Sequence, residues 1–412
     1  MLTLSFHQLD STPRDPASRD EGSFAPTRIP TRILIVMPSW LGDCVMATPS
    51  LARLRTALPG AFLGGLLRPG MDQLLSGLPY FDQIHVERSS GVMGPKYVAA
   101  KLRPFRYDAA ILLTNSFSTA LIVRIAGIPS RVGYDRDARH LLLTKRLIAP
   151  IRADGSWAPI SAVTYYRHAV ECFLNPEHEL ALSASAPLPT QPMQLIVTDA
   201  DRAAADAVFV KADIIHQGSG ATPLMILNPG GNKPEKRWPI DRYANLAVHL
   251  TRTRHVRCLI NGSPAESEIC DAIAQVARLL LARDTTFPST QSAATSTPYD
   301  LDRWVPVSLP SFGVTIASLK AIVQRCGVMV TNDTGPRHIA AALGVPVVSL
   351  FGPTDHRWTT IPTSPWAPEA VVLADPTLPE NELSNDHPER CRIDRIGFEE
   401  VASALDRVWP VS

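Results

Sequence analysis

The apolar positions of the chain fall into short unbroken runs separated by longer stretches of helical period. Ile33-Leu34-Ile35-Val36-Met37 is such a run, and Pro38-Ser39 closes it. A short apolar segment bounded by a turn signal marks a strand buried on both faces, as in a parallel sheet. Residues 41–58 then carry apolar side chains at helical spacing. The alternation continues with strands predicted at 62–67, 83–86 and 109–113 and a short helix at 71–76. Strands alternating with helices build βαβ units around a parallel sheet. The stretch SASAPLPTQP at 183–192 has the composition of a linker, and beyond it the alternation restarts. Strands are expected at 224–227, 255–260, 328–330 and 347–350, with helices at 239–251 and 265–281. The fold class expected is therefore α/β, with two Rossmann-like domains over 30–188 and 189–412 and a cleft between them. Residues 1–29 lack an apolar pattern and read as a flexible extension. Residues 283–312, rich in Ser, Thr and Pro, read as a surface insertion.

Composition narrows the function. Of 412 residues, 45% are hydrophobic and 19% charged, which excludes a disordered chain. No apolar run reaches the roughly 18 residues of a spanning helix. The opening Met1-Leu2-Thr3-Leu4-Ser5-Phe6-His7 has no basic segment and no long apolar core, so no secretory signal is expected. A net charge of +1 argues against a nucleic-acid partner. The charge is uneven, with a surplus of six positive residues over 31–190 and of four negative residues over 191–412. An anionic partner for the front half would explain that bias. The six cysteines are scattered and form no CxxC pair, which suits a reducing cytoplasm and gives no zinc spacing.

In open parallel sheets ligands bind beyond the carboxyl ends of the strands, so the segments after the strands carry the candidate chemistry. Pro38-Ser39-Trp40-Leu41-Gly42-Asp43 follows the first strand. Asp43 there either caps its helix or acts as a general base at the mouth of the cleft. Asn228-Pro229-Gly230-Gly231-Asn232-Lys233-Pro234-Glu235-Lys236-Arg237-Trp238-Pro239 joins a strand to a helix. It is an ordinary basic loop, or a site where backbone N–H groups and Lys236 meet a diphosphate. It is neither a Walker A loop nor a GxGxxG turn. In Thr331-Asn332-Asp333-Thr334-Gly335-Pro336-Arg337-His338, Asp333 and Thr334 either cap the next helix or bind a sugar hydroxyl and a diphosphate. No GxSxG elbow accompanies Asp333 and His338, which disfavours a hydrolase. Positive charge concentrates between Arg131 and Arg146, as local Asp–Arg pairs or as forks for phosphate and carboxylate. The triplets Asp135-Arg136-Asp137 and Asp199-Ala200-Asp201 lie outside the three post-strand motifs and read as surface charge.

Together these motifs resemble glycosyltransferase family 9, the ADP-heptose:lipopolysaccharide heptosyltransferases. RILIVMPSWLGDCVMATPSLARLR is similar to that family's amino-terminal motif, NPGGNKPEKRWPIDRYANLA to its donor-phosphate loop, and TNDTGPRHIAAALGVPVVSLFGPTD to its carboxy-terminal signature. FRYDAAILLTNSFSTALIVRIAGIPSRVGY resembles the branch that adds the second heptose, and HPERCRIDRI the closing motif. The resemblance spans residues 31 to 408. It implies a type B glycosyltransferase fold and an inverting transfer from ADP-L-glycero-D-manno-heptose to a Kdo/heptose inner-core acceptor. It also implies Asp43 as catalytic base and Lys236 on the donor diphosphate. Gly230, Gly231, Asn232, Asp333, Thr334, Gly335 and His338 then form the donor site, with Glu268 as the ribose carboxylate. The acceptor is expected against Ser39, Trp40, Gly42, Asn115 and Ser116, with Arg136 and Arg139 supplied by the basic cluster. No cofactor and no obligatory metal are implied, because fixed positive charge can stabilise the leaving ADP. A peripheral contact with the cytoplasmic face of the inner membrane is a further expectation. Arg337 departs from the family pattern, which has a small or apolar residue there. Readings that share the fold are another nucleotide sugar or acceptor, a nucleotide-sugar epimerase, and a non-catalytic nucleotide-sugar binder.

Overall fold

The apolar runs of the front half become β1 (Arg32–Val36), β2 (Phe62–Leu67), β3 (Gln83–Val86) and β4 (Ala109–Leu112). With β5 (Ser130–Tyr134) and β6 (Lys145–Leu147) they form a parallel sheet of order β3-β2-β1-β4-β5-β6. The back half builds a second parallel sheet from β7 (Leu224–Asn228), β8 (Arg257–Ile260), β9 (Val307–Ser308), β10 (Met329–Asn332), β11 (Val347–Phe351) and β12 (Glu369–Leu373). Its order is β12-β11-β10-β7-β8-β9. Both are doubly wound sheets whose order reverses next to the first strand of the half, where such sheets bind ligands. The computed structural model describes residues 30–88, 91–177, 181–215, 222–231, 233–283, 304–363 and 367–410. The predicted extension 1–29 lies outside the described residues, as does most of the predicted insertion.

Helices flank the sheets: α1 (Leu41–Met46), α2 (Thr48–Ala57), α3 (Met71–Leu74), α4 (Gly94–Leu102), α5 (Phe117–Ile125) and α6 (Ala162–Leu174) in the front half. The back half has α7 (Asp199–Lys211), α8 (Ile240–Arg254), α9 (Ser267–Ala282), α10 (Ile316–Gln324), α11 (Gly335–Ala342) and α12 (Phe398–Val408). The single helix expected over 41–58 is two, because Pro49 stands in the first turn of α2. A proline lacks the N–H that would continue the ladder, but it suits a helix start.

Successive residues of a strand face opposite sides. Leu34 and Val36 pack outward with Val98, Leu102, Ile122 and Val123, whereas Ile33 and Ile35 face inward. That inward core is continuous with Ile226, Leu259 and Met329 of the second sheet. The stretch after the predicted linker also belongs to it, since Met193, Leu195 and Val197 are buried there. The Gln194 N–H donates to Thr48 Oγ1 at 3.0 Å. The end of the predicted insertion is corrected too. Residues 307 and 308 are edge strand β9, paired with β8, and Leu309 beside it is fully buried.

One polar cluster crosses this inner core. Lys320 of α10 is fully buried, with Nζ 2.8 Å from Asp201 of α7. The same ammonium donates to Ser76 Oγ (2.8 Å) in the front half and to the Ile196 carbonyl (3.0 Å). The surface-charge reading of Asp199-Ala200-Asp201 therefore holds for exposed Asp199 and fails for Asp201. Its carboxylate is needed inside to pair a lysine and to accept from the Thr198 N–H. Among the described residues no helix is long and apolar enough to cross a membrane.

Candidate active site

The first and third motifs meet where α1 and α11 cross. A Cβ at Gly42 would lie 2.5 Å from His338 Cδ2, and one at Gly335 would lie 2.9 Å from Leu41 Cδ2. Only glycine at both positions permits this approach, which brings the carboxyl ends of β1 and β10 together. His338 was expected in the donor site, but it is the spacer between the helices. It is 3% exposed, and its Nδ1 has no partner among the described residues. Burial, reinforced by the neighbouring Arg337 guanidinium, holds its pKa well below the usual imidazole range. The unfolded chain takes this proton below about pH 6.5 and the folded chain does not. Stability is therefore lost as pH falls from there toward the depressed folded value. His338→Gln is expected to reduce the fall in melting temperature between about pH 8 and about pH 5. An unchanged fall would contradict this assignment.

A cavity of about 600 Å³ opens in the back half against Gly230, Gly231, Lys236, Asp333, Thr334 and Gly335. Buried amides hold its loops. Asn332 Nδ2 donates to the Pro229 and Gly230 carbonyls (2.8 and 3.1 Å), and Asn228 Nδ2 donates to Thr334 Oγ1 (2.8 Å). Thr334 is the N-cap of α11 but makes no side-chain cap bond, so the helix N-terminus faces the cavity. Arg237 donates from Nε and Nη2 to the Gly231 carbonyl, and Lys233 lies 3.9 Å from Glu235. Lys236 keeps an ammonium without an ion pair among the described residues. Asn232 lies outside the described residues. Glu268 is exposed on α9 and does not line the cavity; Glu266 does. Glu266 accepts from the Gly231 N–H and from Ser263 N and Oγ, all at 2.8 Å. Its signal was the capping box Ser263-Pro264-Ala265-Glu266, a Ser followed three residues later by Glu.

A second cavity, of about 250 Å³, is lined by Asp43, Asn115, Arg136, Trp157, Tyr165, Tyr166, Trp358 and Thr359. Asp43 does not cap α1, whose N-cap is Trp40. Its Oδ1 instead accepts from the Tyr166 hydroxyl at 2.8 Å. Burial raises the Asp43 pKa above the usual carboxylate value; the Tyr166 bond opposes this, and the negative charge of Asp333 adds to it. Asp333 accepts from Thr359 Oγ1 (3.1 Å) and lies 3.5 Å from Arg337 Nη1. Arg337, the departure from the family pattern, does not enter the donor cavity. It is 1% exposed and donates to Ser349 Oγ (3.0 Å), Glu369 Oε1 (2.7 Å) and the Thr359 carbonyl (2.8 Å).

Arg136 stacks on Trp157 at 4.1 Å, and its buried Nε has no partner among the described residues. The expectation for Arg139 is corrected. It is wholly buried and donates to the Tyr134 and Thr114 carbonyls and to Asn115 Oδ1, so no ligand can reach it. Arg131 and Lys145 likewise donate to backbone carbonyls. The basic cluster is therefore largely a set of internal braces, with Arg136 as its member in the cavity. Asn115 lines the cavity beside Tyr165, whose hydroxyl donates to it at 3.1 Å. Ser39 and Ser116 are half-buried and line neither cavity, Gly42 lies under His338, and the exposed Trp40 lines the larger cavity. Tyr166, Trp157 and Trp358 had no local sequence signal.

The chain matches known proteins over most of its length. The family model described as "Glycosyltransferase family 9 (heptosyltransferase)" matches residues 97–291 and 313–392. The chain is 27% identical to lipooligosaccharide heptosyltransferase 2 of Haemophilus influenzae, over 85% of this chain and 90% of that protein. It is 28% identical to lipopolysaccharide heptosyltransferase 2 of Escherichia coli, over 80% and 84%. The solved structure of the E. coli ADP-heptose lps heptosyltransferase II shares its fold, with a TM-score of 0.68 at 23% identity, covering 92% of this chain and 98% of that one.

Proposed function

The chain belongs to glycosyltransferase family 9, the heptosyltransferases of lipopolysaccharide core biosynthesis, and on that premise we propose that it moves a heptose from ADP-L-glycero-D-manno-heptose to a Kdo/heptose inner-core acceptor. The observation that carries this reading is the pairing of two cavities. One offers a half-buried carboxylate of raised pKa, and the other a glycine loop, a helix N-terminus and a lysine with no ion pair among the described residues.

The donor lies in the larger cavity, its diphosphate against the Gly230–Gly231 backbone, the N-terminus of α11 and Lys236. Glu266, rather than Glu268, is the carboxylate offered to the ribose. The acceptor enters the smaller cavity between Trp157 and Trp358, with an anionic group on Arg136. Asp43 removes the proton from the attacking acceptor hydroxyl. That oxygen bonds to the anomeric carbon as the bond from that carbon to the β-phosphate oxygen breaks. Attack from the face opposite the leaving group inverts the centre. ADP leaves with the electron pair, and Lys236 and the N–H groups of α11 stabilise the charge. This fixed positive charge lets the transfer proceed without a metal. The enzyme would act at the cytoplasmic face of the inner membrane. A peripheral membrane contact has less support than the sequence alone suggested, because Arg131, Arg139 and Lys145 are bonded internally.

The test is steady-state release of ADP with a Kdo-containing acceptor. Release is expected to require the acceptor. Arg136→Ala is expected to raise the acceptor KM about tenfold or more and to leave the donor KM unchanged. An unchanged acceptor KM would remove Arg136 from the acceptor site, and release from other nucleotide sugars alone would reassign the donor.

A further inference from the structure

We propose that Tyr166 is the positioning residue of the transfer: its hydroxyl fixes the Asp43 carboxylate at the edge of the acceptor cavity with one oxygen left to take the proton. The inference rests on the reading of Asp43 as the base. Tyr166 lies on α6, is 6% exposed, and ends on Asp43 Oδ1 at 2.8 Å. No other side chain is bonded to this carboxylate among the described residues, which leaves Oδ2 without a side-chain partner there. The ring has little freedom. Its helix starts at Ser161, which accepts from the Val163 N–H and donates to the Thr360 carbonyl of the back half. Tyr165, the residue before it, sends its hydroxyl to Asn115 in the same cavity. Adjacent helix positions point about 100° apart, so the two tyrosines reach two sides of one pocket.

The groups around Asp43 settle what the bond does. Asp333, before α11, is negative. Cys44 of α1 is buried and donates to the Pro38 carbonyl. His338 of α11 is buried and neutral. Tyr165 and Arg136 stand across the cavity. Burial and Asp333 favour the protonated acid; the Tyr166 hydroxyl is the larger of the two hydrogen bonds that favour the carboxylate, the other coming from the Asp43 backbone N–H. Tyr166 thus holds the base in place and favours its ionised form. A tyrosine that served only to fill space would leave the titration of Asp43 unmoved when its oxygen is removed.

The experiment is single-turnover transfer from ADP-heptose to a Kdo-containing acceptor across pH, for wild type, Tyr166→Phe and Asp43→Asn. Tyr166→Phe is expected to move the acidic limb to higher pH by about one unit. It should lower the plateau rate about tenfold or more, with both KM values unchanged. If Tyr166→Phe does not fold, 3-fluorotyrosine at position 166 keeps the ring and strengthens the donor, and should move the limb to lower pH. An unmoved limb, with Asp43→Asn inactive, overturns the role of Tyr166 and leaves the base reading standing. Wild-type transfer by Asp43→Asn overturns the base reading, and the inference with it.

Discussion

Asp43→Asn is expected to slow heptosyl transfer by about a thousandfold while donor binding is retained, and to raise the melting temperature by roughly 1–3 °C. The first effect follows from the loss of the only carboxylate that lines the smaller cavity among the described residues. The second follows from its raised pKa. The folded chain holds this proton more tightly than the unfolded chain. Stability contributed by the group is therefore present below the unfolded value, and is lost as pH rises through the folded one. Once ionised, the half-buried Asp43 is a net cost, increased by the facing Asp333. Asparagine removes the charge and still accepts from the Tyr166 hydroxyl. Scanning calorimetry and transfer rates on the same preparation check both halves. A variant that loses rate and melting temperature together would indicate structural damage instead of a missing base.

Lys320→Met is expected to destabilise the fold by about 3–5 kcal/mol. The substitution leaves Asp201 buried and charged without its partner, and removes the donor to Ser76 Oγ and the Ile196 carbonyl. Adding Asp201→Asn removes the uncompensated charge, so the double variant is expected to recover much of the loss. Because Lys320 joins α10 to the front half, the loss falls on the seam beneath the cleft. Urea denaturation of the single and double variants measures it. A single variant within about 1 kcal/mol of wild type would mean that the cluster contributes little.

The central strands were legible because they are covered on both faces and read as unbroken apolar runs. The edges were not. In β5, Ser130-Arg131-Val132-Gly133-Tyr134, a charged side chain interrupts the run and folds back onto carbonyls. β6 is Lys145-Arg146-Leu147, too short and too polar to stand out. The break between α1 and α2 was written in Pro49, but the continuous apolar period masked it. In the site, Asp43, Lys236 and the Gly230–Gly231 loop were legible because they follow β1 and β7, where doubly wound sheets bind ligands. Tyr166 lies 123 residues from Asp43, and no local pattern pairs the two. The resemblance points to Glu268, but Glu266 lies two residues before it just after β8, and only the fold shows which carboxylate turns to the cavity. Arg139 and Arg136 are chemically alike in sequence. Burial against the Tyr134 carbonyl separates them.

The most direct measurement is the mass of a Kdo-containing inner-core acceptor after incubation with ADP-heptose and either wild type or Asp43→Asn, with donor binding to both followed by thermal shift. The account predicts that wild type adds one heptosyl residue, and that the variant binds the donor and leaves the acceptor unchanged. An acceptor unchanged by wild type, or heptosylated equally by both proteins, would contradict it.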